Sequence, residues 1–400
     1  MFRHNRREFI AGSLASALMP SSLQNLIAAV KPVKITGVDV FPIRLPATKE
    51  EIDAGRMANY VVCRIDTDAG VRGYSFAGPS PKMLPQVQKA LVGFDLFNVE
   101  EHIRRGVDAW GGVEHAIWDA IGRIAGQPVY KLLGGNQSTL RVYLTTVWPG
   151  NPDQSQVTYD AQAEMALREK KAGFKGMKIR AWRPNPLDDA EACGVIRQAV
   201  GPDFAIMFDR TAAAPKAVGQ KVWDYETGYR VARAMEKHGA YWLEEPFARD
   251  DYESHAKLAR SVDIRITGGE GYRGVHSFKE SLVARAYDTV QPDAVTAGGI
   301  FLCRKIAILA ESFHVPCILH GSMGLRAAGF FQASAAIGSD WQELVFVTPP
   351  LLPEDTLSPG LQVLKTKTMY KFEDGHVHLP DLPGLGLDVD EDAIEKFRVR

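Results

Sequence analysis

Seven ionisable residues stand at or near the ends of consecutive strand-like segments in the second half of this 400-residue chain. From Leu140 to Val347, short apolar runs alternate with helical patterns, which predicts right-handed βαβ units and a (β/α)₈ barrel. The carboxyl ends of the barrel strands face one side, so residues placed there share one rim. The seven residues are Lys178, Asp209, Glu244, Glu270, Asp293, His320 and Glu343.

Eight segments carry the strand signal, and their spacing leaves room for a helix between most neighbours. They are Leu140–Thr146, Phe174–Ile179, Phe204–Asp209, Tyr241–Glu244, Ile264–Glu270, Thr289–Gln291, Pro316–His320 and Trp341–Val347.

Three of these strands finish on a carboxylate: Asp209, Glu244 and Glu270. An apolar run that ends in acid is unusual, because a buried carboxylate is unfavourable unless it is paired or bound to a metal. The pair Glu244-Glu245 alone would be better explained as solvated loop residues. Three such strands in a row indicate a metal site, and an all-oxygen ligand set favours a hard cation such as Mg²⁺ over zinc.

The first part of the chain has a different rhythm. Residues 34–74 are strand-rich and predict a hairpin around Asp68-Ala69-Gly70, and a helix with apolar residues at i, i+4 and i+8 follows Gly111. The polar stretch Leu45–Met57 predicts a functional loop. The tail after Leu352 loses the barrel rhythm, is loop-rich around Val377-His378, and is expected to pack back on the N-terminal domain.

The N-terminus predicts export. Arg6-Arg7-Glu8-Phe9-Ile10 precedes a modest apolar stretch, which is typical of a twin-arginine signal at residues 1–30 and of a periplasmic protein. The stretch is too weakly apolar for a membrane span. The alternative is a basic leader without an export role, on a cytoplasmic protein.

Composition argues against nucleic-acid binding. The hydrophobic content of 46%, the charged content of 24% and the net charge of −1 describe a soluble globular protein without the basic surface that nucleic-acid binding requires. The four cysteines have no metal-binding or disulfide spacing.

Several motifs resemble the enolase superfamily, in its mandelate racemase and muconate lactonizing enzyme branch. The resemblance covers nearly all of the chain from Lys34 onward and implies an α+β capping domain over a modified barrel, completed by the returning tail. On that basis we expect a cap at 31–137, a barrel at 138–350 and a tail at 351–400. The motifs are Glu114-His115-Ala116-Ile117-Trp118-Asp119, Lys178-Ile179-Arg180, Leu243-Glu244-Glu245-Pro246, Gly268-Gly269-Glu270, Gln291-Pro292-Asp293 and Pro383-Gly384-Leu385-Gly386.

The resemblance also implies roles for the rim. Asp209, Glu244 and Glu270 would hold Mg²⁺, with Glu245 in support. Asp293 and His320 match the base pair of the family, in which an aspartate orients and charges a histidine as a general base. Glu343 matches a carboxyl group that donates a hydrogen bond to the developing enediolate, which predicts a raised pKa.

Two departures from the family pattern affect the reaction. Arg180 stands where related racemases carry a second lysine, and an arginine is almost always protonated, so two-base racemisation is disfavoured. Lys178 remains available to act on the substrate carboxylate. Arg210 and Thr211 follow Asp209 where many relatives have asparagine at the second position, which predicts altered substrate contacts near the metal.

These features predict a Mg²⁺-dependent acid-sugar dehydratase that acts through an enediolate to give a 2-keto acid. A cycloisomerase, epimerase or racemase with the same first step is the alternative, and an exported non-catalytic binding protein is a third hypothesis. The partners expected are a small sugar acid and further copies of the chain, in a dimer or octamer, with neither nucleic acid nor membrane. The basic residues expected to contact the substrate, besides Thr211, are Arg56, Arg180, Arg183 and Arg210.

Overall fold

The computed structural model describes residues 32–148, 154–211, 221–347, 357–367 and 370–399. The predicted leader at residues 1–30 lies outside these ranges, so export stays a prediction. No helix in the described ranges combines the length and apolar composition needed to cross a membrane. The helices described are α1 (Lys49–Asp53), α2 (Leu84–Leu91), α3 (Val99–Arg104), α4 (Gly111–Ala125), α5 (Val129–Leu132), α6 (Tyr159–Lys171), α7 (Leu187–Val200), α8 (Tyr225–Lys237), α9 (Tyr252–Ala259), α10 (Gly274–Ala284), α11 (Ile300–Ser312), α12 (Ala327–Ile337) and α13 (Glu391–Lys396).

An antiparallel three-stranded sheet opens the described chain, with β1 (Ile35–Arg44), β2 (Asn59–Thr67) and β3 (Arg72–Ser75) in that order. The predicted hairpin is confirmed, because β2 and β3 pair directly. Helix α4 packs against this sheet so closely that a Cβ on Gly73 would lie 2.2 Å from the carbonyl oxygen of Ala116. Because glycine has no side chain at this position, the helix and the sheet can approach this closely.

The polar stretch 45–57 differs from its prediction as a loop. Helix α1 forms inside it, and Thr48 and Glu51 supply a reciprocal capping box at its first turn. Because α1 is short and has no buried residue, its hydrophobic pattern gave no helical signal.

The second sheet is a closed parallel barrel. Its regular strands are β4 (Thr139–Thr146), β5 (Gly176–Arg180), β6 (Ala205–Asp209), β7 (Trp242–Glu244), β8 (Arg265–Gly268), β9 (Thr289–Val290) and β10 (Gln342–Val347). Neighbours pair in sequence from β4 to β9, and β10 pairs with β4.

The predicted strand Pro316–His320 is replaced by isolated bridges. Cys317 bridges Val290, His320 bridges Asp293, and Ser322 bridges Leu344 on β10, so this segment closes the barrel without forming a regular strand. The segment begins at a proline, which has no N–H to donate, so Pro316 takes part only through its carbonyl. The (β/α)₈ prediction is confirmed, except that isolated bridges replace a regular strand at one of the eight positions.

The tail returns to the N-terminal region. The backbone N–H of Val399 donates to the carbonyl of Pro42, and Gly384 bridges Pro128. The loop-rich prediction is wrong in one place, because β11 (Lys371–Glu373) and β12 (His376–His378) form a hairpin that adds to β4. The predicted boundary at 137–138 falls between α5 and β4, and the division into domains stays a prediction.

Candidate metal centre and catalytic site

Three carboxylates converge at the carboxyl ends of β6, β7 and β8. Asp209 and Glu244 are the last residues of their strands and are paired in register, while Glu270 lies two residues beyond β8. One oxygen of each lies within 4.8 Å of the others. Adjacent parallel strands ending at the same level therefore bring together the three residues predicted to hold a metal.

The chemistry of this cluster fits a hard divalent cation. Glu244 is fully buried, and its Oε1 has no hydrogen-bond partner among the described residues. Burial, with a further contribution from Asp209, raises the pKa of Glu244 to about 8 despite the opposing charge of Lys178. Such an unsatisfied carboxylate oxygen among other carboxylates is the environment that Mg²⁺ prefers.

Two cations, the buried Lys178 and the partly buried Arg180, lie on the β5 side of the cluster. The Nζ of Lys178 is 2.8 Å from Glu244 Oε2 and 3.6 Å from Asp209 Oδ2. Arg180, at the end of β5, donates from Nη1 to Asp209 Oδ2. Burial opposes both charges, but the carboxylates outweigh it and raise the pKa of each, so both side chains stay cationic.

A histidine and an aspartate face the cluster from the opposite side. His320 Nδ1 lies 2.9 Å from Asp293 Oδ2, and its Nε2 lies 3.3 Å from Glu270 Oε2. The other oxygen of Asp293 accepts the backbone N–H groups of Val295 and Thr296. Asp293 is thus fixed by its own loop and in turn fixes the ring of His320, with Nε2 directed at the carboxylates.

The charges around His320 favour its protonated form. Burial lowers the pKa of the ring, but the carboxylate of Glu270 and the hydrogen bond to Asp293 outweigh burial and raise it to about 10. For Asp293, burial is outweighed by the bond to His320, which lowers the pKa of the carboxyl group. The hydrogen bond between the two side chains therefore stabilises the charged form of each.

Glu343 departs from its prediction in position and in charge. It is the second residue of β10 rather than a residue near the strand's carboxyl end. Burial would raise its pKa, yet the charges of Lys178 and His320 outweigh burial and lower it to about 2. The expected raised pKa is therefore wrong for this arrangement, in which Lys178 Nζ lies 2.8 Å from Glu343 Oε1.

Two arginines predicted to contact substrate are occupied elsewhere. Buried Arg183 donates to Asp189, to the carbonyl of Val157 and to Gln162. We therefore assign it to the packing of the loop after β5, because these three side-chain hydrogen bonds hold the guanidinium there.

Arg210 has a structural position as well. It is 1% exposed, donates to the carbonyls of Ala181 and Lys221, and lies 4.8 Å from the ring centroid of Trp223. Both corrections have the same cause: a sequence shows the charge of an arginine but not the carbonyl groups that its fold places around it.

The remaining predicted residues have mixed positions. Thr211 lies beside the metal cluster, where its hydroxyl donates to Asp209 Oδ1. Arg56 is buried, and its charge acts on the carboxyl group of Glu51 in the same segment, so a substrate contact for Arg56 stays a prediction.

One residue beside the metal cluster was not predicted. Arg249 Nε lies 2.6 Å from Glu245 Oε2, and its Nη2 lies 2.5 Å from Glu270 Oε1. Glu245 also accepts the N–H of Gly269 and has a φ of 43°, which directs its chain away from the strand path. The only signal in the sequence was a spacing of four residues between Glu245 and Arg249, which is uninformative outside a helix.

Two family descriptions match the chain. Residues 160–393 match the enolase C-terminal domain-like family, and residues 35–134 match the N-terminal domain of mandelate racemase / muconate lactonizing enzyme.

Individual relatives fall into two groups of activity. The chain is 30% identical over 300 residues to an arabinonate dehydratase of Saccharolobus solfataricus, covering 74% of each protein. It is 27% identical to a D-galactarolactone cycloisomerase of Agrobacterium fabrum, covering 85% of this chain and 91% of the relative. Its fold matches the structure of a D-glucarate dehydratase from Agrobacterium tumefaciens complexed with magnesium, with a TM-score of 0.78, 28% identity, and coverage of 92% and 99%.

Proposed function

The chain belongs to the mandelate racemase/muconate lactonizing enzyme family of the enolase superfamily, and from that premise we propose that it is a Mg²⁺-dependent lyase that dehydrates a sugar acid to a 2-keto acid. The observation that carries the proposal is a single histidine–aspartate base facing three clustered carboxylates, with an arginine on the opposite side. Relatives named as acid-sugar dehydratases support this reaction.

Asp209, Glu244 and Glu270 would hold the ion. When bound, Mg²⁺ supplies a Lewis acid that polarises the substrate carboxylate and favours an enediolate. Lys178, held between Glu244 and Glu343, adds a fixed positive charge on the same side. Preorganised charges of this kind stabilise negative charge as it develops in the transition state.

His320 is the base. Its Nε2 removes the proton from C2, and the electron pair left behind forms the C1–C2 double bond of the enediolate. Asp293 fixes the ring through Nδ1 and stabilises the imidazolium that results. The carboxylate of Glu270 is the strongest of the charges that raise the pKa of His320, and Glu270 would favour the neutral ring that a base requires once its own charge is committed to holding the ion.

The same ring completes the elimination. The enediolate pair forms a C2–C3 double bond as the C3–O bond breaks, and the departing hydroxide takes the proton from His320 and leaves as water. The enol that remains tautomerises to the 2-keto acid. One base is sufficient for this sequence, which fits the arginine at position 180.

Cycloisomerisation is the second candidate function. It shares the first proton transfer, and the similarity to the D-galactarolactone cycloisomerase over 85% of this chain favours keeping it. Epimerisation or racemisation is less well supported, because Arg180 stays protonated beside Asp209. A non-catalytic binding role leaves the intact base pair without a purpose.

Assembly and location are further proposals. We expect a homo-oligomer, either dimer or octamer, which light scattering on the purified protein would measure. A twin-arginine signal would take the folded enzyme to the periplasm, and fractionation of expressing cells would test that route.

The test of the proposed function is a panel of aldonic and aldaric acids incubated with enzyme and Mg²⁺. We expect 2-keto acid from at least one acid, and loss of the activity when EDTA is added. Deuterium uptake from solvent without loss of water would select the cycloisomerase or epimerase instead. If no acid of the panel gave keto acid and none exchanged deuterium with solvent, both candidate functions would be rejected.

A further inference from the structure

A cavity of about 650 Å³ lies between the N-terminal sheet and the barrel. From the N-terminal region it is lined by Tyr60 on β2, Phe76 just after β3 and Trp110 just before α4. From the barrel side it is lined by Val295 and Thr296. None of the residues assigned to the metal or to the base lines it. The cavity is large enough for part of a small organic ligand.

Positive charge dominates this cavity. Arg44, Arg273 and Arg326 all line it, whereas no aspartate or glutamate is among its described lining residues. Within the described ranges, no ion pair joins any of the three arginines to a carboxylate; Arg44 has only a hydrogen bond of 3.3 Å to Asn59 Oδ1. Three guanidinium groups without a counter-charge favour an anionic ligand.

Arg326 is the most buried of the three arginines. It is half-buried, and its Nε is buried without a hydrogen-bond partner in the described part of the chain. The backbone before it is held against Tyr60: the N–H of Leu325 donates to Tyr60 Oη, and a Cβ on Gly324 would lie 2.3 Å from that oxygen. The guanidinium is therefore presented from a fixed position.

The cavity adjoins the catalytic base. Val295 and Thr296, which line it, donate their backbone N–H groups to Asp293, and Asp293 holds His320. One wall of the cavity is therefore the loop that positions the base pair. The loop Asp293–Thr296 therefore connects the cavity to the base pair, and a ligand that reached from His320 past this loop would enter the cavity.

We propose that the cavity binds the second carboxylate of a dicarboxylic sugar acid, so that the enzyme selects aldaric over aldonic acids. The inference rests on the proposed dehydratase function and adds the substrate class. The first carboxylate of the substrate would bind beside the metal and Lys178. At the other end of the substrate, three arginines without a counter-charge would favour a second carboxylate over a terminal hydroxyl. The aromatic residues in the lining would lower the polarity around that contact, which strengthens a charged hydrogen bond.

The test compares acids that share every stereocentre and differ only at C6. Galactarate is paired with galactonate, and glucarate with gluconate. For the wild-type enzyme we expect kcat/KM to be at least about 10-fold higher for the diacid of the preferred pair, since a charge-assisted hydrogen bond gives about 10- to 100-fold discrimination. A 6-phosphogluconate arm separates a carboxylate site from a phosphate site.

Arg326→Gln should lower kcat/KM for the diacid about 10-fold or more and leave the monoacid within about 3-fold. Arg44→Gln and Arg273→Gln change exposed side chains of the same cavity and test it without disturbing the fold. Arg168→Gln removes one exposed arginine from α6 and is the charge-matched control, which should change neither substrate.

Three results would overturn the inference. They are a wild-type preference for the monoacid, a preference for the phosphorylated acid over the diacid, and an equal loss for both members of a pair in all three cavity variants. Each of these leaves dehydration itself intact. Absence of keto acid from every substrate would instead reject the proposed function, and the inference with it.

Discussion

At the scale of single residues, the buried carboxylate of Glu245 depends on one positively charged partner, besides the backbone N–H of Gly269. Arg249 bonds it at 2.6 Å and also reaches Glu270, so one guanidinium joins a supporting glutamate to a candidate metal ligand. The side chain of Glu245 is fully buried. A buried charge that loses its partner destabilises the fold more than the pair stabilises it.

We expect Arg249→Met to lower the free energy of unfolding by about 2–4 kcal/mol, because it leaves the buried Glu245 without a counter-charge. Glu245→Gln in the same protein should restore a large part of the loss, since it removes the charge. Urea unfolding in the absence of added metal measures both variants and the double variant. A double variant no more stable than Arg249→Met would contradict the assignment of this pair.

Some individual residues of the site could be predicted from the sequence, and others could not. The carboxylates of the metal cluster could be predicted because each ends an apolar run, and the strand periodicity sets where it points. Arg183, Arg210 and Arg249 could not be sorted into structural and functional residues. Their partners are backbone carbonyls and side chains that come together only in the folded barrel.

At the scale of helices and strands, Glu169 on α6 carries an uncompensated acid group. It accepts a hydrogen bond from Thr146 on β4, but its Oε2 is buried without a partner in the described chain. Burial raises the pKa of Glu169 to about 8 from an ordinary value of 4.5, against the lowering effect of Thr146. The folded protein therefore binds this proton more tightly than the unfolded chain does.

Because the folded protein binds this proton more tightly, raising the pH destabilises the fold through Glu169. The stability tied to protonated Glu169 is complete below pH 4.5 and is lost as the pH rises to about 8. We expect Glu169→Gln to differ little from wild type at pH 5 and to be more stable by roughly 2–4 kcal/mol at pH 9. Chemical unfolding at both pH values measures the difference. A variant whose stability relative to wild type is the same at both would contradict the burial of an ionised group.

A second connection between elements explains part of the Glu-His-Ala-Ile-Trp-Asp motif. Glu114 on α4 accepts the backbone N–H groups of Ile300 and Phe301 and thereby caps the first turn of α11 in the barrel. Trp118 donates to the same carboxyl group at 2.6 Å. The motif was predicted as a family marker, and its physical role is to join the N-terminal helix to a barrel helix.

We expect Glu114→Ala to destabilise the protein by about 2–4 kcal/mol, because three donors lose a buried acceptor. Glu100→Ala removes an exposed carboxylate that pairs with Lys305, and should change stability by less than about 1 kcal/mol. Thermal and urea unfolding of the two variants provide the comparison. Equal losses of stability in the two variants would show that Glu114 does not hold α4 against α11.

At the scale of the whole molecule, the alternation of strands and helices was enough to predict the barrel. That prediction worked because each βα unit has its own apolar period and the parallel order follows from chain connectivity. Two features of the sheet were not predictable, because both depend on pairing with distant strands. They are the isolated bridges that replace a strand at 316–320 and the hairpin at 371–378. The cavity between sheet and barrel was hidden for the same reason.

The proposed reaction depends on one base, His320. The measurement that tests it most directly is the rate of 2-keto acid formation by wild type and by His320→Asn at saturating Mg²⁺, with His276→Asn on the protein surface as control. Loss of a general base typically lowers the rate about 100- to 10,000-fold, so we expect at least a 100-fold fall in kcat for His320→Asn and none for the control. Wild-type keto acid formation by a folded His320→Asn protein would contradict the single-base dehydration.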